Sequence, residues 1–209
     1  MNHELPWAPK PRGTEAEFYP TPMWLAEAMA RLVLVHAPLA PTVLDAGCGD
    51  GRLARCVRGL RTTVVDIDAD HQESWPNEWT KRIGDFLALP ADRVFDVVIS
   101  NPPFTKWLEF AEHCLSFRDT GGTVLLLAFA NILGGQERAR WWAKHPPSEV
   151  VIVPKRPQFL TRTHNGGIRD TVLVRWTAGD VSQRLSWLGA ACACTCGALG
   201  EAQPKEHQP

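Results

Sequence analysis

The stretch Val94-Phe95-Asp96-Val97-Val98-Ile99-Ser100-Asn101-Pro102-Pro103-Phe104 decides how this chain is read. Its β-branched run from Val97 to Ile99 suits a strand buried on both faces. Two consecutive prolines end that strand, because neither has an N–H for the ladder and each holds the residue before it in an extended conformation. The chain must therefore leave the sheet at Asn101. Ligands of open parallel α/β sheets bind at the carboxyl ends of the strands. The corner thus holds two acceptors at a crevice, Asn101 Oδ1 and the Pro102 carbonyl, which together can take both hydrogens of an –NH₂ group. Phe104 offers a flat face to a planar ring. Such a site suits an aminopurine or aminopyrimidine. A stiff Pro-rich turn without a ligand is the plainer reading of the same residues, and the rest of the chain has to separate the two.

Upstream, Thr42-Val43-Leu44-Asp45 reads as a short buried strand, and Ala46-Gly47-Cys48-Gly49-Asp50-Gly51 as a glycine-rich turn into a helix beginning near Leu53. This is the opening strand-turn-helix of a doubly wound fold, with glycines where the backbone turns tightly and approaches a ligand. A second strand, Thr62 to Asp66, ends in a carboxylate at the separation from Asp45 where nucleoside-binding folds hold a ribose hydroxyl pair. The spacing of Trp24, Leu25, Ala28, Met29, Leu32 and Val33 predicts a helix over about 22–35. Further strands are expected at about Thr80–Ile83, Thr123–Phe129, Glu149–Val153 and Thr171–Trp176, with helices over 105–117 and 136–143. The alternation predicts a Rossmann-like, doubly wound α/β fold: a mostly parallel seven-stranded sheet with helices on both faces. Residues 1–17 read as a flexible arm, 18–176 as one catalytic domain, and 177–209 as a largely disordered extension.

The 209 residues carry 22 basic and 23 acidic side chains, so any nucleic-acid surface must be local rather than global. The start has no apolar signal-peptide core, and the longest apolar run, Val124 to Ala130, is too short to span a bilayer; a cytoplasmic protein is expected. Cys48, Cys56 and Cys114 suit reduced thiols in such a compartment. Cys192, Cys194 and Cys196 alternate, which is not the Cys-x-x-Cys of a structural zinc site, and no metal is expected. Trp141-Trp142 reads as packing rather than as a base-stacking platform.

In motif order, the residues from Phe18 to about Trp176 resemble class I S-adenosylmethionine-dependent methyltransferases, and among them the DNA adenine-N6 methyltransferases of phage or solitary bacterial type. Phe18-Tyr19-Pro20-Thr21-Pro22 looks like the cofactor-contacting Phe-x-x-Thr-Pro segment, which implies Tyr19, Thr21 and Pro22 at S-adenosyl-L-methionine. Asp45, Gly47 and Gly49 match the methionine-binding loop, Asp66 the ribose-binding acid, and Asp85 with Phe86 the segment beside the cofactor's adenine. Asn101, Pro102, Pro103 and Phe104 resemble the catalytic motif, with Asn101 also bordering the cofactor. Hydrogen bonds from the target amine to Asn101 and Pro102 would draw nitrogen toward tetrahedral geometry and localise its lone pair for in-line displacement. Reaching that amine in a duplex requires base flipping, at roughly a few kcal/mol.

The chain has almost no room for a separate target-recognition domain. The stretch from Pro154 to Asp170 sets Lys155, Arg156, Arg162 and Arg169 against a single acid and includes Phe159. At this place the family carries a loop near the flipped base, which makes Arg156, Arg162 and Arg169 candidates for DNA contact. An ordinary solvated basic hairpin is the alternative. Two other functions fit the same motif, methylation of an adenine in RNA or of a glutamine amide in protein; a catalytically silent cofactor-binding subunit is a further alternative, against which the intact Asn101 and Asp45 stand.

Overall fold

The computed structural model describes residues 19–59, 61–161, 164–166 and 169–189. Helix α1 (Met23–Leu34) starts where Pro22, fixed at φ −56°, turns the chain and its carbonyl accepts the Leu25 and Ala26 N–H groups. Leu25, Ala26, Met29 and Val33 line its buried stripe, the helical spacing expected of an amphipathic helix. Strand β1 (Thr42–Ala46), helix α2 (Arg52–Val57), β2 (Arg61–Asp66), β3 (Thr80–Ile83), β4 (Phe95–Ser100), α3 (Trp107–Ser116), β5 (Arg118–Phe129), α4 (Gln136–Lys144) and β6 (Glu149–Val153) follow. A two-stranded hairpin, β7 (Phe159–Thr161) with β8 (His164–Gly166), precedes β9 (Thr171–Thr177) and β10 (Arg184–Trp187).

The main sheet runs β10-β6-β9-β5-β4-β1-β2-β3. It has eight strands, not the expected seven. The eighth is Arg184–Trp187, which lies in the stretch read as a disordered extension and adds in parallel to β6 at one edge. Only β9 runs against its neighbours, β5 and β6. Strands buried on both faces alternate between two cores. Leu44, Val98, Val124, Leu126 and Val174 pack against α3, whereas Val43, Val97, Ile99, Leu125 and Leu173 pack against α1 and α2. That double burial is why these strands are near-continuous apolar runs.

Trp107, Trp141, Trp142 and Trp176 form one ring cluster under α3 and α4. Trp142 donates to the Ile132 carbonyl at 3.1 Å, so the tandem tryptophans pack rather than present a platform. Across the other face, Arg175 and Glu149 form a buried ion pair at 2.6 Å, with Ser186 donating to Glu149 at 2.6 Å. Register places Glu149 directly opposite Arg175. Among the described residues, no helix is long and apolar enough to cross a membrane, and no group of three or more His, Cys, Asp or Glu could hold a metal ion.

Candidate active site

The carboxyl ends of β1, β2, β4 and β5 meet along one edge of the sheet, and the sequence-predicted residues collect there. After β1, Gly47, Gly49 and Gly51 take φ values of 68°, 51° and 76°. Each is a left-handed conformation that a side chain disfavours, and this is what lets the loop turn so tightly. Asp45 is fully buried beneath the loop. Its Oδ2 accepts the Ala54 N–H at 3.0 Å, while its Oδ1 has no partner. Burial pushes the Asp45 carboxyl up to about 7, with the nearby Asp66 and Asp50 charges adding to the rise. Asp66 holds the loop from the next strand: Oδ2 accepts the Gly49 N–H at 2.6 Å and Oδ1 the Asp68 N–H at 3.0 Å. A carboxylate has about four acceptor sites, so two remain for a ligand.

Asp85 caps a 3-10 turn through its Oδ1, which accepts the Leu87 N–H at 3.0 Å. Phe86, the next residue, turns its ring inward. Its side chain is buried among Phe110, His113 and Phe117, with ring centroids 5.2, 4.7 and 5.4 Å away. Apolar area is gained by turning that ring into the α3 core, and Asp85 alone of the pair keeps a side chain outside it.

At the end of β4, Asn101 is anchored by its nitrogen. Nδ2 donates to the Tyr19 carbonyl at 2.8 Å and to Thr21 Oγ1 at 3.1 Å. A main-chain carbonyl can only accept, so this contact fixes which way the amide points. Asn101 Oδ1 is then a buried acceptor with no partner in the protein. Such an atom costs roughly 1–3 kcal/mol unless something donates to it. The strap of residues 19–22 is itself tied to the glycine loop. Arg52 Nη1 donates to the Thr21 carbonyl at 3.0 Å, and Arg52 Nε binds the Asp50 carboxylate at 2.8 Å. Pro22 closes the strap as the start of α1.

Pro102 is buried, and the Pro103 carbonyl accepts the Lys106 N–H at 3.1 Å as the chain enters a short 3-10 turn headed by Phe104. Phe104 is not an isolated flat face. Phe129, at the end of β5, stacks on it at 3.8 Å and 25°. Tyr19 and Phe159 approach the same ring at 6.0 and 6.2 Å. Four rings thus enclose the corner beside Asn101. Phe129 was not foreseen, because only the sheet order puts the end of β5 beside the end of β4.

The basic stretch is partly spent on the protein itself. Arg156 pairs with Asp170 at 2.9 Å, both side chains exposed, and Arg169 lies 4.9 Å over the Phe129 ring. Lys155 sits 5.3 Å over Trp24. Arg162, Phe18 and the three tail cysteines fall outside the described residues.

No family model and no curated protein matches the sequence. Solved structures do. A type I restriction-modification methyltransferase subunit from Streptococcus thermophilus superposes with a TM-score of 0.65 at 13% identity, over 80% of this chain and 47% of that one. The chain therefore spans about half the length of that subunit. A candidate class I S-adenosylmethionine-dependent methyltransferase from Listeria monocytogenes gives 0.58 at 18% identity, over 82% and 66%. The N-methyltransferase NodS from Bradyrhizobium japonicum, bound to S-adenosyl-L-homocysteine, gives 0.56 at 16%, over 76% and 89%. With the glycine turn after β1, the acid that ends β2 and the antiparallel β9 inserted between β5 and β6, the chain has the fold of the class I S-adenosylmethionine-dependent methyltransferases.

Proposed function

We propose that this protein is an S-adenosyl-L-methionine-dependent methyltransferase whose target is the N6 amine of adenine in DNA. One observation carries the reading above the others: Asn101 is held by its own –NH₂, so that its Oδ1 is a buried, unpartnered acceptor. An acceptor left in that state suits an incoming N–H donor better than it suits a structural turn. The loop fits the cofactor on similar grounds. Three left-handed glycines bring backbone close to a ligand, Asp45 Oδ1 awaits a donor, and Asp66 has acceptor capacity left. Asp45, Gly47 and Gly49 would hold the methionine part, and Asp66 and Asp85 the nucleoside. When bound, the sulfonium supplies an electrophilic methyl group.

The chain's own residues supply orientation. Asn101 Oδ1, with the Pro102 carbonyl, takes hydrogen bonds from the target amine and so localises its lone pair. Tyr19, Phe104, Phe129 and Phe159 give that amine's ring an apolar wall and exclude water from the acceptor, which strengthens each hydrogen bond made there. No general base is required before displacement. A base extracted from a stack costs roughly a few kcal/mol, offset by these contacts.

Incubating the purified chain with radiolabelled cofactor and DNA, RNA or protein, then digesting to nucleosides and amino acids, tests the proposal. Label in N6-methyldeoxyadenosine is expected. Label only in a ribonucleoside or in glutamine would move the target, and bound cofactor with no transfer to any acceptor would leave a cofactor-binding subunit.

A further inference from the structure

The segment between β2 and β3 carries two tryptophans that nothing in the chemistry above uses. Trp75 is buried against Cys48, Ala54 and Val64, directly beneath the glycine loop, with Trp79 beside it. Its indole Nε1 donates to the Gly49 carbonyl at 2.8 Å. The rings lie so close that a Cβ on Gly51 would meet Trp79 at 2.9 Å and Trp75 at 3.2 Å. The segment is anchored in turn, since Lys81 Nζ donates to the Trp75 carbonyl at 2.9 Å and Arg55 to that of Ser74.

These bonds lock two consecutive peptide planes. The plane joining Cys48 to Gly49 is held by Asp66 at its N–H and by the Gly51 N–H at its carbonyl, 2.8 Å away. The next plane, joining Gly49 to Asp50, is held at its carbonyl by Trp75. A trans peptide points its C=O and N–H in opposite directions. Pinning the Gly49 carbonyl onto Trp75 therefore turns the Asp50 N–H to the far side of the loop, where a ligand's acceptor can take it. We infer that Trp75 is a positioning residue for the cofactor: through the Gly49 carbonyl it orients the peptide that the loop presents to the methionine part. This rests on the reading that the glycine loop binds S-adenosyl-L-methionine. A buried indole usually finds some acceptor; the point here is that the acceptor chosen is the peptide at the apex of the turn.

Two replacements remove the donor. Trp75→Phe does so while trimming the ring, and benzothienylalanine at position 75 does so with the bicyclic shape kept. Calorimetry with S-adenosyl-L-homocysteine and steady-state kinetics are run on both, beside Trp79→Phe, which trims ring contact with Gly51 and leaves the Trp75 bond in place. Both position-75 variants should raise the cofactor Kd about fivefold or more, the scale of one hydrogen bond. The loss should fall on the cofactor KM rather than on kcat. A lowered Tm with unchanged Kd in the benzothienylalanine protein overturns the inference, as does an equal rise in Kd in Trp79→Phe. Wild-type protein that binds no S-adenosyl-L-homocysteine would instead remove the cofactor reading itself.

Discussion

Replacing Asn101 separates catalysis from architecture because its two ends do different things. Asn101→Ala deletes the free Oδ1 and also leaves the Tyr19 carbonyl and the Thr21 hydroxyl without their donor. Two neutral hydrogen bonds at about 1 kcal/mol each put the stability loss near 2 kcal/mol, about 4–8 °C in Tm for a domain of this size. Losing an acceptor used in the transition state should cost on the order of 3 kcal/mol, about a hundredfold in rate. Asn101→Asp keeps the acceptor but sets a carboxylate against the Tyr19 carbonyl, so it should be the less stable variant and the more active one. Single-turnover methyl transfer at a temperature where both variants are folded, with thermal unfolding alongside, compares the two orders. Cofactor affinity should stay within a few-fold of wild type in Asn101→Ala. A rate above half of wild type in Asn101→Ala, or rates that simply follow Tm across the two variants, would refute the reasoning.

The buried Asp45 predicts an unusual pH dependence. Burial raises its folded-state pKa to about 7 from the 3.8 of an ordinary aspartate, so between those values the folded chain holds a proton that the unfolded chain has lost. Stability from this group is therefore full below about pH 4 and falls as pH rises toward 7, at no more than about 1.4 kcal/mol per pH unit; urea titrations across that range should show the slope in wild type and its loss in Asp45→Asn. Glu149→Ala strands the buried Arg175 guanidinium and should cost about 3–5 kcal/mol in chemical denaturation, most of it recovered by Glu149→Leu with Arg175→Met. Arg156→Gln with Arg162→Gln should weaken DNA binding uniformly across sequences and lower the salt slope of log K by about two. An unchanged slope would make the stretch an ordinary solvated connection, in keeping with the Arg156 pairing to Asp170.

The strands most legible in the sequence are those buried on both faces, β1 and β4, whose apolar runs are nearly unbroken. Glu149–Val153 and the edge strand Thr80–Ile83 also begin and end where their residues predict, the latter because Gly84 and Asp85 punctuate its end. Arg184–Trp187 was not legible because it is an edge strand with most of its side chains exposed, and an edge needs no apolar run. The hairpin in the basic stretch is only three residues a side, too short to show alternation. Within the site, residue types were readable and their mutual orientation was not. Asn101 was identified as an acceptor, but which of its two polar ends faces outward depends on a Tyr19 carbonyl 82 positions away. Phe86 stands next to Asp85 in the sequence, yet its ring found more apolar area in the core behind it. Phe129 and the Trp75–Gly49 bond likewise follow from pairing between distant segments, which no local pattern encodes.

The strap of residues 19–22 also bears on the order in which this molecule becomes active. Its bonds to Asn101 close loops of 80 and 82 residues, whereas β1 pairs with β2 over fewer than 20. Closing long loops is entropically later work than forming near-neighbour contacts. A refolding chain can thus pair β1 with β2 while the amide of Asn101 is still free to rotate, with either of its ends toward the target. Secondary structure would return first and methyl transfer afterwards, the interval between them being the time the strap takes to dock.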